Sequence, residues 1–175
     1  FFIRAKNAKS LTLIDKTSSA GSASVSIGSS TQAGDIAVLF DGVTNNSSTE
    51  MPTTVTPSGF TSVQVTEINA SNEFKTNTSY KILDASDITA TTITGMNAED
   101  ASKVLFTFRP GSTPTLTSST PNVFTSNTDP SPQTVNLSTI GPHPFIVCAL
   151  RYVRSGQPNS DRSSFDGSSG FTFEM

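Results

Sequence analysis

Apolar positions in this chain fall into short runs, with no helical stripe among them. Ile36-Ala37-Val38-Leu39-Phe40 lies between Gly34-Asp35 and Asp41-Gly42. Five apolar residues are too few for a helix with its own core face. Turn residues at both ends mark the run as a strand buried on both faces. Val104-Leu105-Phe106-Thr107-Phe108 and Phe145-Ile146-Val147-Cys148-Ala149-Leu150 repeat the pattern, each with Gly or Pro close by. The three runs predict the frame of one β core, with Leu39, Phe106 and Ile146 all buried in it.

Elsewhere the pattern alternates. Residues 10–14, 23–27, 60–68 and 77–83 place apolar side chains at every second position or nearly so, as half-buried strands do, and residues 89–94 carry two β-branched pairs before Gly95. Short edge strands are expected at 123–124 and 134–137, in a proline-rich stretch, and at 171–173. Residues 17–24 are Ser, Gly and Ala for the most part and predict a flexible connection. Residues 42–58 predict a long exposed loop, the kind of segment that makes contacts. Residues 97–102 are the one helix-like piece. The whole reads as about 8–10 strands with minimal helix, an all-β sandwich or barrel. Residues 1–20 form an N-terminal arm or edge strand in this reading, and residues 21–175 a single β-sandwich domain.

Composition supports a packed β domain over a stalk. Ser and Thr fill roughly three positions in ten, a bias that also marks mucin-like chains, but the apolar residues are clustered and not diluted. Thr is β-branched and suits a pleated, half-buried surface. The net charge of −3 leaves no broad basic face, so nucleic acid is not an expected partner. No apolar run approaches the ~18 residues of a membrane-spanning helix, so no membrane is expected, and residues 1–4 are too short for a signal peptide. A single cysteine excludes an internal disulfide.

Chemistry is sparse. Nucleophilic catalysis needs a base beside the nucleophile, and the one histidine, His143, is clamped between two prolines. Cys148 reads as a small buried hydrophobe. Zinc needs several Cys or His ligands, and the chain has two such residues in all. Asp84 and Asp87 flank a turn, Glu99 and Asp100 sit in the helix-like piece, and Asp161 and Asp166 lie in a late loop. Their spacing misses the calcium-loop pattern, and turn-making accounts for them. Trp is absent and the twelve Phe fall mainly inside apolar runs, which argues against an aromatic sugar cleft. Arg109, Arg151 and Arg154 border apolar runs and Arg162 follows them, positions suited to anion contacts across an interface. The Asn-x-Ser/Thr matches at Asn45, Asn46, Asn69, Asn77 and Asn136 are what a Ser/Thr-rich chain produces by chance. No cofactor, metal or catalytic residue is expected.

Four strings carry a resemblance: residues 33–40 (Ala-Gly-Asp-Ile-Ala-Val-Leu-Phe), 55–61 (Val-Thr-Pro-Ser-Gly-Phe-Thr), 79–83 (Ser-Tyr-Lys-Ile-Leu) and 103–110 (Lys-Val-Leu-Phe-Thr-Phe-Arg-Pro). Together they resemble small virion structural proteins of tailed bacteriophages, among them capsid decoration (cement) proteins and tail-associated β modules. The likeness spans roughly residues 20–153 and is a pattern of strand and turn strings, with no active-site signature. Phe60 stands where such proteins often carry Trp. The resemblance implies a β-sandwich, often jelly-roll-like, that assembles on a particle without catalysis. The expected protein is then a non-enzymatic decoration protein located on the virion, a homotrimer bound to the major capsid protein or another virion protein. It reads as a free-standing small protein more than as a slice of a fibre. Partner contacts are expected from Phe1, Phe2 and Ile3 at the N-terminus and from Arg151 and Arg154. The alternative is a tail-associated or receptor- and carbohydrate-binding module on the same fold; an enzyme is the third reading.

Overall fold

A computed structural model of the chain describes residues 2–45, 54–68, 73–98, 101–118 and 144–147. Its elements in order are β1 (Phe2–Lys6), β2 (Leu11–Ala20), β3 (Val25–Ser26), β4 (Ile36–Asn45), β5 (Thr61–Ile68), β6 (Glu73–Ile82), α1 (Ala85–Ala90), β7 (Thr92–Ile93), β8 (Ala101–Pro110), β9 (Thr115–Ser118) and β10 (Phe145–Val147). The fold is all-β, with one short helix among the described residues.

β4 is the centre. It pairs antiparallel with β6 on one side and with β8 on the other, in a five-stranded sheet of order β2-β8-β4-β6-β5. Because side chains alternate across a strand, the apolar run of β4 serves two cores. Ile36 and Val38 face one way, where β1, β9 and β10 form a second sheet of order β10-β1-β9. Ile3, Ala5 and Ile146 of that small sheet close the first core. Ala37 and Leu39 face the other way, against Val25 and Ile93 of the β3–β7 ribbon, Leu83, Met96 and Leu105.

The backbone bonds of the sheet run past the end of β4. Gly34 N–H donates to the Leu83 carbonyl at 2.8 Å, and Leu83 N–H to the Asp35 carbonyl at 2.9 Å. Gly34 has φ +95°, which an L side chain rarely adopts, so glycine is required at this turn.

Several expectations change. The three apolar runs frame two cores, one on each face of the large sheet. Leu39 lies in one and Ile146 in the other. Phe106 is only half-buried; the enclosed residues of its strand are Lys103, Leu105 and Thr107. Parity places it: Phe106 lies opposite Val38 and points to the same side, away from Leu105 and the second core. There it packs edge-on against Phe40, with ring centroids 5.9 Å apart, and Lys16 Nζ lies 5.7 Å from its centroid.

The flexible connection expected from residue 17 is, as far as Ala20, the second half of β2. Its hydroxyls secure an edge: Thr17 Oγ1 donates to the Ser26 carbonyl, and Ser19 Oγ to the Ser24 carbonyl at 2.6 Å. The helix is at Ala85–Ala90, not 97–102. Asp84 caps it, accepting from Ser86 N–H and Asp87 N–H, while the Asp87 carboxylate accepts from Asp84 N–H. This reciprocal box is a strong local start signal.

The N-terminal arm is also corrected in part. Residues 11–20 are an edge strand, as the reading allowed. Residues 2–6 are the middle strand of the small sheet, paired to β9 and β10. Ile3 and Ala5 are fully enclosed. Ile3 is therefore held by the chain's own core, and its side chain is not at a surface for a partner. The reason is register: Ile3 lies opposite Ile146 and turns inward with it.

Candidate functional site

The face of the large sheet that carries Ala37 and Leu39 is apolar in the middle, with an ion pair on either side. Along β4 the residues of that parity include Ala37, Leu39, Asp41 and the buried Val43, and Asp35 precedes them. Along β8 they are Lys103, Leu105, Thr107 and Arg109. Antiparallel pairing therefore sets Asp35 near Arg109 and Asp41 opposite Lys103.

At the first end the Arg109 guanidinium grips Asp35 with two parallel bonds, Nε to Oδ1 at 3.0 Å and Nη2 to Oδ2 at 2.8 Å. The fork geometry of arginine suits a carboxylate in this way. Arg109 Nη2 also donates to the Ser30 carbonyl at 2.8 Å, and Gln32 N–H donates to Asp35 Oδ2 at 2.9 Å. The Asp15 carboxylate sits beside this turn, accepting from Ser30 N–H at 2.9 Å and from Thr31 Oγ1 at 3.3 Å. Thr31 and Thr107 join their hydroxyls at 3.0 Å. Asp15 reaches the turn because the β2 register shifts between Leu13 and Asp15, the local kink of a bulge. Gly28 leaves room for it: a Cβ there would stand 2.2 Å from Asp15 Cγ. A cleft of about 200 Å³ opens between the 32–35 turn and the 110–113 turn, with Arg109 and Ile82 in its wall.

At the second end Lys103 and Asp41 are enclosed, their side chains 0% and 1% exposed, with Nζ 3.3 Å from Oδ1. Lys103 Nζ donates to the Asn97 carbonyl at 2.6 Å. Neither carboxyl oxygen of Asp41 has a hydrogen-bond partner. Burial pushes the Asp41 carboxyl above the usual carboxylate range; the positive charge of nearby Lys103 opposes the shift without cancelling it. Asn77 is the next residue across the sheet, opposite Asp41 on β6. It is buried too, accepting from Ser62 Oγ at 2.9 Å and donating to Thr56 Oγ1 at 2.8 Å.

Sequence reasoning found one of these residues. Arg109 reads from sequence as a solvated strand end or an anion contact across an interface, and the structure engages it inside the chain with Asp35. Asp84 and Asp87 do flank a turn, but as the cap of α1, where Lys81 Nζ also reaches Asp87 at 2.7 Å. Hydrogen bonds from Ser86 and from Asp87 N–H hold the Asp84 carboxyl well below the usual range. Asp35 and Asp41 read as turn residues at the ends of a run, yet Asp41 lies inside β4. The available signal was parity: opposite charges at matching positions on two strands that pair. Phe2 pairs with Val147 in β1. Phe1, Arg151, Arg154, His143, Cys148, Glu99, Asp100, Asp161, Arg162 and Asp166 lie outside the described residues. Among the described residues no three His, Cys, Asp or Glu side chains gather as a metal would require, and no helix is long and apolar enough to cross a membrane.

The chain matches no family model, no curated protein and no solved structure.

Proposed function

We propose that this is a non-enzymatic virion structural protein that decorates and stabilises a phage capsid. The observation that carries the reading is where the four resembling strings fall. They lie on β8, on β4, on β6 and at the turn leading into β5, four neighbours in the order β8-β4-β6-β5. The likeness thus follows one continuous sheet and is not scattered over unrelated surface. Two ionic pairs on that sheet, Asp35–Arg109 and Asp41–Lys103, are made within the chain, as suits a scaffold more than a reaction centre.

A decoration protein binds the assembled lattice and not its free subunits, so it stabilises the shell by mass action. Cyclic symmetry closes the contacts between copies and prevents open-ended growth, and a homotrimer is the proposed form. The contact residues in this reading are Phe1, Phe2, Arg151 and Arg154; Ile3 is excluded by its burial.

The experiment adds purified protein to particles stripped of it. Saturable rebinding, a higher temperature of shell opening and no binding to free capsid subunits are expected. Failure to bind any virion component, with binding to glycans on an array, would replace the proposal by the receptor- or carbohydrate-binding alternative.

A further inference from the structure

We propose that Lys103 and Asp41 are joined by an intramolecular amide, an isopeptide bond from Nζ to Cγ that cross-links β8 to β4. The two residues stand opposite each other on adjacent antiparallel strands. Both side chains are sealed from solvent, and Nζ is already in contact with the carboxyl group, at 3.3 Å from Oδ1. The contact lacks hydrogen-bond geometry, since both Asp41 oxygens are without a partner. Nζ is positioned from its other side by the Asn97 carbonyl at 2.6 Å. Leu39 and Leu105, two residues away on the same face of each strand, are fully enclosed and keep the surroundings apolar.

An ion pair is a poor solution for such a place. Two buried charges are stable only when hydrogen bonds satisfy their remaining lone pairs and protons, and Asp41 has none. An amide carries no charge.

Its formation balances without any further reagent. A proton passes from the ammonium to the carboxylate, giving an amine and a neutral acid. The amine lone pair adds to Asp41 Cγ and the C–N bond forms. One C–O bond then breaks, and that oxygen leaves as water with a proton from the nitrogen. Groups held in contact reach effective concentrations of roughly 10⁵–10⁸ M, which favours condensation. The dry surroundings withhold the water that would reverse it. Burial favours the neutral acid at Asp41, in the same direction.

The inference is independent of particle binding, and its test is mass. The full chain is purified, denatured and weighed by mass spectrometry, then digested. The expected result is a mass one water below that of the sequence, and a branched peptide carrying residues 41 and 103 on its two arms. Lys103→Arg, which keeps the charge without a nucleophilic amine, is expected at its full sequence mass. A native chain at full sequence mass overturns the proposal. So does loss of water without the branched peptide, the result of ring closure at Asp41-Gly42. The native chain decides the matter even if the variant does not fold.

Discussion

A buried charge is tolerable only while its partner is present, and this decides what single substitutions do on the ionic face. Lys103→Met leaves the Asp41 carboxyl in the core with no cation. Removing one member of a buried pair costs about 3–5 kcal/mol, and urea unfolding at neutral pH should show a loss of that order. The pH dependence has a definite sign. In the variant the Asp41 carboxyl is free, and burial raises it with no cation to oppose the shift. A group whose folded pKa is raised favours folding at low pH and loses that contribution as pH rises through the folded value. The variant should therefore regain stability on acidification, and the double variant Asp41→Leu/Lys103→Met should not. Gly28→Ala tests the other end of the face. The added Cβ collides with Asp15, so the carboxylate must leave Ser30 N–H and Thr31 Oγ1. The expected result is a lower melting temperature, with faster amide exchange at Ser30; unchanged exchange there would show that the turn absorbs the methyl.

Elements were legible where one residue type dominates a short window. The five-residue run of β4, bounded by Asp and Gly, is legible because few other structures bury four consecutive residues, Ile36 to Leu39, on two faces. The second half of β2 was not. Thr17, Ser18, Ser19 and Ala20 carry no apolar pattern, and they are strand because β8 needs a neighbour and their hydroxyls reach the backbone near β3. That is a tertiary cause, invisible in a local window. The helix was legible in principle, through Asp84 and Asp87 as a capping box, but its six residues are too few to show a period. At Phe106 the run gave the strand correctly while parity decided burial. Leu39→Ala, at a fully enclosed site, should therefore cost about 2–5 kcal/mol. Phe106→Ala, at a half-buried site, should cost less despite the larger side chain. Denaturant midpoints of the two variants, measured side by side, check the order; an equal or greater loss for Phe106→Ala would mean that this site is closed.

At the scale of the molecule, the N-terminus decides how an assembly experiment must be designed. Phe1, Phe2 and Ile3 read from sequence as an apolar arm, because three apolar residues near a terminus have no visible partner in a one-dimensional pattern. The partner is more than 140 residues away: Ile3 faces Ile146, and β1 is the strand that joins β9 to β10. Deleting residues 1–9 removes Ile3, Ala5 and Ala8 from the first core and uncovers Ile36 and Val38. Such a deletion should lower the melting temperature sharply, and any loss of particle binding would then report lost structure and not a lost contact. Ile3→Ala alone should cost about 2–5 kcal/mol by the same reasoning. The arginines proposed as contacts need a different probe, a charge reversal. Arg151→Glu/Arg154→Glu should weaken binding to stripped particles while the melting temperature stays within a few degrees of the parent chain. Rim charges act mainly through association rate and salt dependence, so the defect should show in the on-rate and shrink as salt is raised. Unchanged binding by a fully folded double variant would remove these two arginines from the interface and leave Phe1 and Phe2 as its remaining candidates.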